Sequence, residues 1–202
     1  MGRRSNARDR LIANAGRLFR HHGFEAVGVA KLCKAANVNK GSFYHFFSSK
    51  RELLIEVLDN AWDETGLLTS WETKIPDQPI EQLRQYLQEL FAYHYAEREA
   101  NGRVCGSLLA NVALELSAQD EHVNMKLNEL FNREIDAFRN LLTEASNQGK
   151  INVDNPVNTA KALVACLHGL IMLAKISDNL EAIPNSEVEL LRLVGNVKQS
   201  QT

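Results

Sequence analysis

Little in this chain points to catalysis, to a bound metal or to an oxidising compartment. It has three cysteines, Cys33, Cys105 and Cys166, widely spaced and with no C-x-x-C pair. That excludes a disulfide framework and fits a reducing, cytoplasmic setting. The six histidines show no H-x-x-x-H spacing. Cys166 and His168 are two apart on an expected helix and point apart, so no metal site is expected. There is no Gly-rich phosphate loop and no G-x-S-x-G elbow, so neither catalytic residues nor a cofactor are expected. No apolar run approaches the roughly 20 residues that span a bilayer. The basic start MGRRSNARDR has no apolar segment behind it, which argues against a secretory signal and against a membrane partner.

What is present is unevenly distributed. At 202 residues and 45% hydrophobic the chain can bury a full core. Residues 1–51 carry eleven Lys and Arg against two acids, Asp9 and Glu25, for a net of +9. A chain at −2 overall therefore leaves −11 for the other 151 residues. A basic module on an acidic body is the electrostatic footprint of a nucleic-acid binder.

Apolar residues recur at helical spacing almost throughout, and no run alternates as a strand would. The expected fold is all-α, with about nine helices. The first is capped at Ser5 and ends at His22-Gly23, with Leu11, Ala15, Leu18 and Phe19 on one face. A short second helix carries Val29, Leu32, Cys33 and Ala36. A third spans about Lys40 to Phe46, and a fourth runs from Ser49 towards Ser70. After the loop TKIPDQP come a fifth helix (about 80–100), a sixth through Leu108 to Leu116, and a long seventh (about 120–148). Asn155-Pro156 opens an apolar eighth, and Pro184-Asn185-Ser186 caps a ninth that ends near Gln199.

Residues 28–51, GVAKLCKAANVNKGSFYHFFSSKR, read as a compact DNA-binding unit. The turn needs a left-handed backbone, which Asn37 tolerates, and Val38 plugs the space between the two helices. Phe43 and Phe47 face inward. Lys40, Gly41, Ser42, Tyr44 and His45 are left outward, and Gly41 and Ser42 are small enough for the helix N-terminus to enter a major groove. Tyr44, Lys40 and Lys50 can reach phosphates, and Lys50 with the amides opening the fourth helix makes a phosphate clamp.

The string G-F-E-A…L-x-x-A-A-x-V-x-K-G-S-F-Y-x-x-F-x-S-K-x-x-L resembles the N-terminal domain of TetR-family transcriptional regulators over about residues 5–58. The resemblance implies a helix-turn-helix domain over 1–48 and a ligand-binding and dimerisation domain over 49–202. Where the family usually has a capping Thr or Ser stands Val27, so Gly28 must cap the second helix. The family's turn glycine is Asn37. The resemblance also implies a ligand cavity bounded by helices four to eight. Its candidate residues are Trp62, Tyr86, Phe91, His94, Asn111, Glu115, His168 and Met172, with Trp71, Tyr93, Tyr95, Met125 and Phe131 as further wall material. The sixth-helix stretch GRVCGSLLANVALELS resembles G-C-L-L-x-N-x-A-L-E-L-S in a subgroup with members that sense oxidants or electrophiles through the cysteine. Here Ser107 holds that position and Cys105 comes two residues earlier, about 200° away on a helix, so the role does not carry over. All three cysteines read as structural. Lys175 would matter only if such chemistry survived.

One helix-turn-helix covers too few base pairs for discrimination, so a two-fold homodimer on a palindrome is expected. Helices eight and nine (about 156–177 and 186–199) are the interface candidates, because Leu163, Val164, Leu167, Leu170, Ile171, Leu173 and Ala174 make helix eight apolar nearly all round. The expected function is a ligand-responsive repressor of double-stranded DNA, released by a small-molecule effector through a population shift. The alternatives are a cysteine-based redox repressor, a helical enzyme, and an interaction scaffold without a ligand.

Overall fold

The computed structural model describes residues 3–63, 66–73 and 77–194. These form ten helices and no strand: α1 (Arg3–His22), α2 (Val29–Ala36), α3 (Lys40–Phe46), α4 (Lys50–Ala61), α5 (Leu67–Thr73), α6 (Pro79–Asn101), α7 (Leu108–Leu116), α8 (Glu121–Asn147), α9 (Pro156–Ser177) and α10 (Ala182–Leu193). The expected fourth helix is two. It stops at Ala61, and a new helix starts right after Gly66, which adopts a left-handed φ of +76°. Asp63 closes this break, accepting the Gly66 amide (2.9 Å) on one oxygen and the Thr69 amide (2.7 Å) on the other. Helix α1 is already running at Arg3, so Ser5 lies inside it rather than capping it. Helix α10 likewise starts at Ala182, ahead of Pro184, in a first turn where proline is tolerated. The expected end near Gln199 lies outside the described residues.

The described chain divides into two compact units. The first comprises the chain up to Trp62 together with Ser107–Leu130, so it holds α1 to α4, α7 and the first part of α8. Helix α1 packs on α2, α4 and α7, burying Leu11, Ala15, Leu18 and Phe19 almost completely. Phe43 and Phe47 are fully enclosed at 0% and 1% exposure, whereas Val38 is only half-buried. An ammonium from α8, Lys126 Nζ, sits 2.9 Å from both Asp59 of α4 and Glu129 of its own helix. The hydrogen bond to Glu129, then that to Asp59, holds its proton above the ordinary lysine range despite partial burial.

The α2–α3 turn follows from one backbone conformation. Asn37 adopts φ 51°, ψ 55°, and with the chain reversed the Val38 amide donates back to Cys33 O (3.0 Å). Asn39 then caps α3, its Oδ1 accepting the Ser42 amide at 2.7 Å.

The second unit comprises Asp63–Gly106 and the chain from Phe131 onward. Helix α10 packs on α6 and α9 within it. Tyr95 Oη donates to Leu180 O (3.0 Å), and the Val104 amide donates to Asp178 Oδ1 (2.8 Å), tying both ends of this region to the α9–α10 turn. Helix α9 has a mean hydropathy of 1.6 over its best window, long and apolar enough by composition to cross a membrane, contrary to the expectation that no stretch qualifies. One-third of that window is buried, and Met172, Leu173 and Ile176 are 42%, 58% and 75% exposed.

Replacing Asn37 with Val, which resists the left-handed region, is expected to destabilise the protein by about 1–2 kcal/mol. Asn37→Gly should be neutral or stabilising. Urea unfolding midpoints with an unchanged slope would measure both.

Candidate functional site

The outward face of α3 is as the sequence suggests. Lys40, Gly41, Tyr44 and His45 are exposed, and Tyr44 stands 57% exposed with its ring edge-on to Phe43 at 5.1 Å. Ser42 is half-buried, its amide taken by the Asn39 cap. Gly41 serves that cap as well as any close approach to DNA, since a Cβ there would lie 3.2 Å from Asn39 Oδ1. Gly28 is the α2 N-cap with φ −82°, ψ 158° and no side-chain bond, and a Cβ there would meet nothing within 4 Å. Val27 beside it is fully buried, so its position serves the core instead of offering a hydroxyl to a phosphate.

Lys50 is not the outstretched side chain the clamp assumed. Its Nζ donates to Phe24 O (2.9 Å) and lies 3.9 Å from the centre of the Phe24 ring. Such a contact holds a cation by the ring quadrupole and by a carbonyl together. The amides opening α4 are also partly used within the chain. Ser49 Oγ accepts the Glu52 amide (3.1 Å), the cap that S-x-x-E in the sequence would have signalled, while Glu52 Oε2 accepts the amide of Ser48, one residue before the N-cap (2.6 Å). Hydrogen bonds from the Ser48 hydroxyl and amide hold the Glu52 carboxyl below its ordinary value. Arg51 pairs with Asp120, Arg8 with Glu56 (2.8 Å), and Arg10 Nε donates to Ala36 O (3.0 Å). Part of the +9 of the head thus holds the head itself together.

Two of the expected ligand residues lie in this first unit and bond within it. Asn111 Nδ2 donates to Arg20 O (3.4 Å), at the end of α1. Glu115 accepts the Phe24 amide on Oε2 (2.9 Å) and the Glu25 amide on Oε1 (2.8 Å). Trp62 closes the same unit, 8% exposed. Cys105 precedes α7 instead of lying on it, because the helix starts after the Ser107 cap; the angular comparison of the two positions therefore does not apply. Cys105 is buried, with its thiol 3.6 Å from Arg103 O. Cys33 is buried too, and that burial pushes its thiol up, away from the reactive thiolate.

In the second unit, Tyr86, Phe91 and His94 are buried on α6. Met172 in this unit is 42% exposed, and Met125, in the first unit, is 64% exposed. Helix α8 contributes Phe131, Glu134 and Phe138 on one face. Phe138 stacks edge-on against Tyr86 (5.2 Å) and Trp71 (6.0 Å), and Phe131 against His168 (5.1 Å). His168 Nε2 lies 3.0 Å from Glu134 Oε2, and Glu134 is 4% exposed. The Trp71 indole N–H is buried and meets no acceptor among the described residues. Glu134 and Phe138 escaped the sequence reading; a lone acid within an apolar helical stripe was the available signal. No cluster of three or more metal-ligating side chains occurs among the described residues.

A helix-turn-helix with an exposed α3 is matched by the family model for bacterial regulatory proteins of the TetR family over residues 11–57. The tetracycline-repressor-like C-terminal domain matches residues 79–186, so the two together cover most of the chain. The chain belongs to the TetR family. It is a DNA-binding transcriptional regulator of the ligand-responsive kind, and TetR-family regulators act as dimers. It is 27% identical to the repressor NemR of Escherichia coli K12 over 94% of both chains. It is also 27% identical to the repressor DhaR of a Mycobacterium species, over 89% of this chain and 88% of that one. Among solved TetR folds, reduced E. coli NemR superposes with a TM-score of 0.76 at 24% identity, covering 93% of this chain and 97% of its own. A regulator from Cytophaga hutchinsonii gives 0.79 at 18%, covering 100% and 99%.

The Glu52 cap predicts an acid limb to stability. A carboxyl with a lowered folded pKa contributes stability above its ordinary value of 4.5, and that contribution is lost as pH falls through the lower folded value. Thermal melts of wild type should therefore weaken as pH drops below that point. Glu52→Gln should start lower at neutral pH and lose less on acidification.

Proposed function

We propose that this regulator is a repressor that binds a palindromic operator as a homodimer and leaves it when a small effector occupies the second unit. The supporting observation is the α3 surface, with Lys40, Gly41, Tyr44 and His45 exposed while Phe43 and Phe47 behind them are locked in the core. Lys40, Gly41, Ser42, Tyr44 and His45 enter the major groove, and Gly28 with Lys50 flanks it at the backbone. The dimer forms through α9 and α10, which leave Leu173, Ile176, Val188 and Leu193 exposed at 58%, 75%, 52% and 48%.

The effector site is built around Tyr86, Phe91, His94 and His168, with Trp71, Phe131 and Phe138 as neighbours. A buried indole N–H without an acceptor costs about 1–3 kcal/mol. An effector offering an oxygen acceptor to Trp71 would recover that cost. The protein carries no catalytic role in this reading and works where the DNA is, in the cytoplasm.

Fluorescence anisotropy with short duplexes tests the reading. A palindrome from beside the coding gene should bind with affinity falling steeply with salt, and Tyr44→Ala should weaken it by about tenfold or more with thermal stability unchanged. Equal affinity for scrambled duplexes, or for Tyr44→Ala, would refute the reading head. Ile176→Glu should shift the protein to monomers in sedimentation if α9 forms the interface.

A further inference from the structure

Glu115 occupies an unusual position for an acid. It is the one acidic residue of α7, next to its C-terminus, and its two carboxylate oxygens each accept a successive backbone amide, Phe24 at 2.9 Å and Glu25 at 2.8 Å, just beyond the end of α1. Charge-assisted pairs of this kind are short, directional and stronger than neutral ones. The loop is shaped to receive them. Gly23 turns with φ +83°, and a Cβ there would lie 3.1 Å from Glu115 Oε2. One turn earlier on α7, Asn111 holds the Arg20 carbonyl (3.4 Å), so α7 grips the end of α1 at two points.

The residue so held is the one that holds Lys50. Phe24 gives its amide to Glu115, its carbonyl to the Lys50 ammonium (2.9 Å), and its ring to the same ammonium (3.9 Å). The ring also packs 5.3 Å from Phe19 of α1. A lysine ammonium has three donors. With one on Phe24 O, the others remain available to a phosphate, at a position set by Phe24.

We propose that Glu115 is a positioning residue for DNA binding: by fixing Phe24 it sets where Lys50 meets the operator backbone. A displacement of α7 is then delivered to the phosphate grip through one residue. This rests on the operator-binding reading above, and the two fail separately: if wild type binds no operator that reading fails, whereas the relay is decided by variants compared with a binding wild type.

The test is a double-mutant cycle read by operator anisotropy over a salt series, using wild type, Glu115→Gln, Lys50→Ala and the double variant. Glu115→Gln keeps the side chain's shape but presents one acceptor where two are needed. It is expected to weaken operator binding roughly fivefold, in the range by which intermediate residues modulate coupling. It should also flatten the log–log salt slope by about 1.8, one phosphate contact in each half of a dimer. Since both changes act on one contact, the double variant should bind no more weakly than Lys50→Ala alone. Wild-type affinity in Glu115→Gln, or losses that add in the double variant, would overturn the relay. If Glu115→Gln fails to fold, Glu115→Asp, which keeps both acceptors but draws them back from the Phe24 and Glu25 amides by one methylene, enters the same cycle. The same non-additivity with Lys50→Ala supports the relay, and additivity or no effect overturns it.

Discussion

A helix of seven residues cannot hold itself together in water, where isolated helices shorter than about 12–15 residues are marginal. The reading helix α3 is that short. It exists because Phe43 and Phe47 are enclosed behind it and because Asn37 and Asn39 set and cap its start. The exposed outer face, with Lys40, Gly41, Tyr44 and His45, depends on that inner anchoring. The two aromatics contribute no recognition of their own, yet they fix the angle at which Tyr44 and His45 are presented.

The same economy extends to charge. The head is strongly basic, but Arg8, Arg10, Lys50 and Arg51 each have a partner within the first unit. Such pairs add little stability when exposed. Their effect is to pin long side chains that would otherwise pay conformational entropy on meeting DNA. Glu115 and Asn111 extend this bracing to α7, so the head is shaped by a segment some ninety residues further along the chain.

Much of the fold was legible because helical periodicity and turn residues are local signals. Asn37 was read as a left-handed turn from its side chain alone, and Phe43 and Phe47 as inward from their spacing. The break after Ala61 was missed because no proline marks it; Gly66 and the Asp63 cap do so only once their geometry is seen. The ligand residues were harder. Asn111 and Glu115 are polar residues on an amphipathic helix, and nothing in the sequence says that they face the end of α1. The pairing of Glu134 with His168 joins residues 34 apart, beyond any local pattern. Lys50 was assigned an outward reach because a sequence shows its charge but not the ring and carbonyl that hold it.

Helix α9 carries enough apolar surface to be mistaken for a membrane segment; one side of it is buried, while Met172, Leu173 and Ile176 stand exposed. For a regulator of a family whose members act as dimers, a single copy is an incomplete object. Its stability becomes a function of its own concentration. The number of molecules in the cell then acts twice on the regulated genes, once through occupancy of the operator and once through the existence of anything able to occupy it.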